Sequence, residues 1–247
     1  AVMPQQVRLF DADQAKAAEF AASVGACHSL TSRQAVSGAD VVLLAVKPQA
    51  VATVLQDLSP LDTKQLLVSI AAGVSLSRLR QLAGPAVALA RVMPNTPALV
   101  GAGVSAVCFS GADQQQQEQA KTLLSACGRV YVVPESAMSA VTGLSGSGPA
   151  YIMLVIEALA DGGVREGLPR DLALEMAAMT VYGAAGMVLE TGRHPAELKD
   201  QVCSPGGTTI EAVASLEADG LRSALIRAVA SSANKARMMQ QTTDSHD

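Results

Sequence analysis

Tryptophan is absent from the sequence, and aromatic residues make up only 2% of it, beside a charged fraction of 16% and a formal net charge of −4. Nucleic-acid binding needs a basic stripe or a row of stacking rings. This chain has neither, so nucleic acid is not an expected partner. Long apolar runs are lacking as well: no stretch of about 18 apolar residues escapes interruption by a charge, Gly or Pro, and no cleavable leader pattern opens the chain. No membrane partner is expected. The four cysteines, Cys27, Cys108, Cys127 and Cys203, form no C-x-x-C pair, and no His stands at metal-ligand spacing. A metal site is therefore not expected; buried free thiols in a reducing, cytoplasmic compartment are.

What is present is apolar and small. The hydrophobic fraction is 49% over 247 residues, a length that suits one large domain or two modest ones with a buried core. Short apolar runs at Val7 to Phe10, Val41 to Val46, Leu66 to Ala71, Val87 to Val92, Val104 to Phe109 and Val130 to Val133 alternate with helical patterns, the rhythm of a parallel sheet. Between the first two runs, Asp13 to Val24 reads as a helix with Asp13 as N-cap and Gly25 as C-terminal stop. The run Ala39 to Val46 is apolar throughout, which suits a strand covered on both faces. Ligands of open parallel sheets sit beyond the carboxyl ends of the strands, so Lys47-Pro48, Ala71-Ala72-Gly73 and Pro94-Asn95-Thr96 are expected to line one crevice.

After Pro134 the strand signals stop. Apolar residues recur at helical spacing over Ala150 to Val164, Leu172 to Leu189 and Leu221 to Met239, so the second half is expected to be all helical. The fold class is α/β, with residues 1–134 a dinucleotide-binding Rossmann-type domain and residues 135–247 a helical domain. Small residues such as those of Ala158 to Gly163 would let its helices approach closely or pair with a second chain.

The sharpest local signal is Ser204-Pro205-Gly206-Gly207-Thr208-Thr209-Ile210-Glu211. Thr208 and Glu211 stand at capping-box spacing, so Thr208 is expected to be the N-cap of a helix. The free amides of such a first turn, aided by the helix dipole, receive a carboxylate, and Thr209 would stand beside it. An ordinary capped helix after a Ser-Pro turn is the competing reading.

Two further glycine clusters do not qualify as phosphate loops. Gly143 to Pro149 has no strand leading into it, and Pro149 removes an amide; close packing or a hinge suits it better. Gly101 to Ala106 precedes a strand instead of following one. No dinucleotide fingerprint is visible, and Val7 to Phe10 therefore reads as the second strand of a Rossmann domain, with the chain beginning at Ala1 after a missing first strand and glycine loop. Asp11 then stands at the end of strand two, where an acidic residue bonds the ribose 2′-OH, unless it only caps the following helix. Arg33 could offset its charge, which leaves NADH and NADPH both open. His194, followed by Pro195, reads as the start of a short helix with a structural role.

Taken together, Ala45-Val46-Lys47-Pro48, Ser69 to Gly73, Met93 to Val100, Ala140 to Tyr151 and His194 to Glu211 resemble the pyrroline-5-carboxylate reductase family, over about Val7 to Met239. The resemblance implies an N-terminal Rossmann domain, a helical domain that forms dimers and rings of dimers, and hydride transfer from NADPH or NADH to a cyclic imine, giving L-proline. It places Ala45, Val46, Lys47, Pro48, Ala72 and Asn95 near the dinucleotide, where strand-end position also puts Ala71 and Gly73 and where Asp11 stands for the ribose. Gln201, where family members often carry Asn, would reach the dinucleotide from the partner chain. The substrate carboxylate is implied to meet Ser204 and the amides around Gly206, Gly207, Thr208 and Thr209, with Glu135 close to the pocket and the Thr209 hydroxyl facing the ring nitrogen as the catalytic group.

Two other functions fit parts of the pattern. A β-hydroxyacid dehydrogenase of the same plan would need a catalytic lysine, for which Lys199 is the candidate. A catalytically silent dimeric scaffold would follow if the chain truly lacked its phosphate loop.

Overall fold

The structure, a computed structural model, describes residues 2–245. Its contacts divide the chain into two compact units: one runs up to Gly146 and takes back the stretch from Ser232 onward, and the other is Ser147–Ser231.

The first unit is built on strands β1 (Arg8–Leu9), β2 (Cys27–His28), β3 (Val41–Leu44), β4 (Leu66–Ser69), β5 (Ala88–Met93), β6 (Gly103–Ser110) and β7 (Gly128–Val132). Helices α1 (Gln14–Val24), α2 (Ser32–Val36), α3 (Val51–Leu58), α4 (Leu76–Ala83) and α5 (Gln114–Ser125) connect them. As read from sequence, Asp13 caps α1 by accepting from the Lys16 amide, and Gly25 closes it at φ 72°, the left-handed conformation that favours glycine.

Strands β3 to β7 form one sheet in sequence order, while β1 and β2 pair in parallel as a separate two-stranded ribbon. Among the described residues β1 and β3 each keep one unpaired edge. Leu43 is 59% exposed on that edge strand, with Val42 and Leu44 buried. The expected cover is complete on the Val42 and Leu44 face and partial on the other, where Val41 packs against the second core and Leu43 does not.

The sheet is not parallel throughout. β3, β4 and β5 are parallel, but β6 returns antiparallel to β5, and β7 is parallel to β6. The reason is length: the link after Met93 holds only the 3-10 turn Thr96–Val100, shorter than the dozen or so residues of a parallel crossover.

Two cores result. On one face Leu44, Leu67 and Leu89 pack with Val51 and Leu55 of α3, Leu79 of α4 and Met138. On the other, Leu66, Val68, Ala90 and Val107 pack with Ala120 of α5. Beyond β7 the chain forms α6 (Met138–Val141) and a π-helical turn, Thr142–Gly146. A Cβ added at Gly146 would come within 2.5 Å of the Met93 methyl, whereas one at Gly148 would meet nothing within 4 Å, so within this glycine cluster close packing is confined to Gly146.

The second unit holds α7 (Gly148–Arg165), α8 (Arg170–Thr191), α9 (Pro195–Val202), α10 (Thr208–Ala218) and the first part of α11 (Leu221–Ser245). Its strands are absent among the described residues, as expected from periodicity. Its own core is small, made of Ala160, Ala173 and Ala177 with Ile156 and Val164 against them.

The starts of β6 and β7 nearly touch. A Cβ at Gly128, whose φ is 142°, would lie 2.0 Å from the Gly103 carbonyl oxygen. Gly128→Ala is expected to cost about 1–3 kcal/mol through overpacking, and each kcal/mol lowers Tm by about 2–4 °C in a domain of this size. Thermal unfolding of the variant checks this; an unchanged Tm would mean the two strand starts have room to spare.

Candidate active site

Parallel strands end together. In the sheet register Leu44 is level with Ser69, and Ser69 with Arg91, so the chain leaves β3, β4 and β5 along one edge. The small residues Ala45 and Ala72 are exposed there, Lys47 is exposed, and Val46, Pro48 and Gly73 are half-buried while Ala71 is buried. Gly73 turns the chain at φ 78°, and the Ser69 hydroxyl accepts from the Ala71 amide at 3.3 Å. No acidic side chain stands in Ala45 to Ala50 or Ile70 to Ser75. A phosphate-bearing ligand would therefore meet small side chains and the Lys47 ammonium, which suits a dinucleotide.

Asn95, half-buried, is tied at both ends of its amide: its Oδ1 accepts from the Val104 amide at 2.8 Å, and its Nδ2 donates to the Ser145 carbonyl at 3.1 Å. One N–H remains for a ligand. At the end of β1 the two acidic residues divide their tasks. Asp13 is the helix cap, whereas Asp11 is exposed and folds one carboxylate oxygen onto the Asp13 amide at 2.9 Å, leaving the other for a hydroxyl.

In the second unit, α9 stops at Val202 and a turn follows in which the Gly207 amide donates to the Ser204 carbonyl at 3.0 Å. Pro205 and Gly206, at φ 63°, occupy its two central positions, the type II pattern. The N-cap of α10 is Gly207, and Thr208 is its first helical residue. This corrects the expectation that Thr208 is the cap: no capping box forms with Glu211, and no side chain caps this end. The reason lies in the backbone: Gly207 has the extended conformation of a cap (φ −80°, ψ 169°), so Thr208 already lies inside the helix, and a Cβ at Gly207 would meet Ser204 Oγ at 2.3 Å unless that side chain turned away. The first amides, of Thr208 to Ile210, have no intrahelical acceptor and stand at the positive end of the helix dipole. Thr209 is half-buried in this turn, while Ser204, Gly206 and Thr208 are exposed. Gln201 is also exposed, on the last turn of α9.

His194 is the N-cap of α9, its Nδ1 accepting from the Ala196 amide at 3.2 Å. Lys199 pairs with Asp200 at 2.7 Å. The hydrogen bond and charge of Asp200 raise its pKa above the ordinary lysine value, the wrong direction for a catalytic lysine of the β-hydroxyacid type.

Glu135 lies just past β7. One of its oxygens accepts from Arg91 Nη1 at 2.8 Å and from the Leu76 amide, the first of α4, at 2.7 Å. Arg91 is buried in β5 and also donates to the Gln240 side chain. Sequence reading passed over Arg91. The signal was there: a single arginine inside the apolar run Ala88 to Met93 has to find a partner.

Comparison with known proteins decides the family. A description of pyrroline-5-carboxylate reductase dimerisation matches residues 135–239, and one of coenzyme F420-dependent NADP oxidoreductase matches residues 3–73. The pyrroline-5-carboxylate reductase of Synechocystis is 52% identical over 80% of this chain and 74% of its own length. That of Escherichia coli is 40% identical over 98% of this chain and 90% of its own. The chain belongs to the pyrroline-5-carboxylate reductase family. Among solved members, the Coxiella burnetii reductase is 36% identical, covering 91% of this chain and 85% of that one with a TM-score of 0.85. The Plasmodium falciparum reductase, solved with NADP bound, is 31% identical over 87% of this chain and 82% of that one, with a TM-score of 0.81.

Membership explains the surface of the second unit. Met153, Leu154, Met179 and Tyr182 are 59–71% exposed, an apolar display that monomers seldom carry. The segments Glu135–Arg165 and Arg170–Thr191 even satisfy the length and composition of a membrane span. The matched dimerisation domain supports self-association of this half of the chain.

One thiol gives a local check on the electrostatics. Cys108, paired with Arg91 across β5 and β6, is pushed up to about 11 by burial and by the Glu135 charge, against the pull of Arg91. At pH 8 it is protonated, so peptide mapping after iodoacetamide is expected to find exposed Cys27 and Cys127 alkylated and Cys108 spared. Equal labelling of all three in folded protein would contradict that burial.

Proposed function

We propose that this chain reduces pyrroline-5-carboxylate to L-proline with a hydride from NADPH or NADH, and that the start of α10 grips the substrate carboxylate. The single observation that carries the site is a helix begun on glycine, with Ser204 folded against it and no side chain over its first amides.

A protonated cyclic imine is already electrophilic, so the protein's task is orientation and not proton abstraction. The amides of Thr208 and Thr209, with Ser204, hold the carboxylate through the geometry of Gly206 and Gly207. That fixes the ring beside Thr209, whose hydroxyl bonds the ring nitrogen as the charge on it changes. Glu135 is the carboxylate that Arg91 and the Leu76 amide hold at the start of α4. Ala45, Val46, Lys47, Pro48, Ala71, Ala72, Gly73 and Asn95, together with Asp11, hold the dinucleotide, which supplies the hydride when bound; Gln201 of a partner subunit is placed at the same ligand. Functionally, residues 1–134 serve the nucleotide and 135–247 the substrate and the dimer. The enzyme works in the cytoplasm, as a dimer or a ring of dimers, with no membrane or nucleic acid in the reaction.

Steady-state kinetics with pyrroline-5-carboxylate and each dinucleotide test the assignment, against a panel of hydroxy and keto acids. Thr209→Val is expected to fold normally and lose about 1–3 kcal/mol of transition-state stabilisation, the worth of one oriented hydrogen bond; undiminished turnover removes Thr209 from the mechanism. Gly207→Ala is expected to raise the KM for the imine at least tenfold, about 1.4 kcal/mol, with the dinucleotide KM unchanged. A change in the dinucleotide KM alone would place this turn at the wrong ligand.

A further inference from the structure

We propose that Arg91 is a positioning residue for the nucleotide crevice: it shapes the β4–α4 turn through Glu135 and seats the tail of α11 against that turn through Gln240. The inference rests on the reductase reading for its consequence in catalysis, but its physical content stands apart from it.

Arg91 sits in the row Leu44, Ser69, Arg91, Cys108 that crosses the sheet at the carboxyl ends of its parallel strands, one level beneath the crevice. A guanidinium in such a place must be fully engaged. Nη1 reaches Glu135 at 2.8 Å and Gln240 Oε1 at 3.2 Å, and Nη2 reaches Gln240 Oε1 at 3.1 Å.

Each partner touches the same turn. Glu135 accepts from the Leu76 amide, which otherwise would be one of the orphan donors of α4. Gln240 belongs to the stretch of α11 that returns to the sheet unit. Its neighbour Met239 packs at Gly73, where a Cβ would lie 3.6 Å from the Met239 Cβ. The turn 70–75 is therefore held at its far end by Glu135 and flanked in its middle by the α11 tail, and Arg91 is the group common to both. Residues of this turn are the ones assigned to the dinucleotide, so loosening it should weaken dinucleotide binding while leaving the imine site on α10 alone.

Full-length Gln240→Ala and Arg91→Met proteins test this, read by hydrogen exchange without cofactor and by separate KM values. Gln240→Ala is expected to speed exchange in 232–243 and across 70–76 while other helices keep their protection. It should raise the dinucleotide KM about fivefold or more, within the range of ordinary coupling between sites, with the KM for the imine unchanged. Arg91→Met should do the same more strongly and expose the Leu76 amide; if it fails to fold, the variant at half-buried Gln240 decides. Unchanged exchange at 70–76 in Gln240→Ala overturns the proposal, and so does an equal rise in both KM values, which marks a merely structural role. If wild-type protein proves inactive on the imine, the reductase reading fails while the exchange result still decides the coupling.

Discussion

A helix that starts on glycine leaves its first amides to whatever anion arrives. Most helices satisfy these donors with a serine, threonine or aspartate at the N-cap, as α1, α4 and α5 do here with Asp13, Ser75 and Asp113. α10, like α3 and α8, has no side-chain cap; Gly207 has no side chain to offer, and Ser204 lies where one would begin. A glycine cap costs only a few tenths of a kcal/mol relative to Ser, Thr, Asp or Asn, so these amides are left open to an anion at little expense. In the proposed function, substrate recognition and the place of Thr209 both rest on this helix start.

The nucleotide half solves a different problem. Its crest must present small side chains to a large anion, and small side chains do little to hold a loop in shape. Shape comes from beneath: two leucine- and valine-rich cores clamp the sheet, the amide of Asn95 staples the end of β5 to the start of β6 and to the π-helical turn, and the Arg91 cluster grips the turn after β4. Loops that carry function on a rigid scaffold are the general rule; here the rigidity lies in polar contacts a residue or two below the surface.

Much of this could be read from the chain. The strand-and-helix alternation, the change to an all-helical texture, the Asp13 and Gly25 caps and the long helices α7, α8 and α11 all follow from periodicity and end signals. The reversal of β6 escaped because a buried run looks alike in either direction; the shortness of the link after Met93 was the unused clue. β2 is only two residues long, too short for any pattern. The cap of α10 was placed one residue late because Thr208 and Glu211 match a capping box, a side-chain rule that says nothing of the backbone conformation at Gly207. Glu135 and Asn95 carried roles from family resemblance, but their hydrogen-bond partners are distant in sequence and only the fold brings them together.

The most direct measurement is a crystal structure of the protein with L-proline and the oxidised dinucleotide bound. The account predicts the proline carboxylate within hydrogen-bonding distance of the Thr208 and Thr209 amides and of Ser204, with the ring nitrogen at the Thr209 hydroxyl. A proline bound elsewhere, with those amides facing only water, would contradict it.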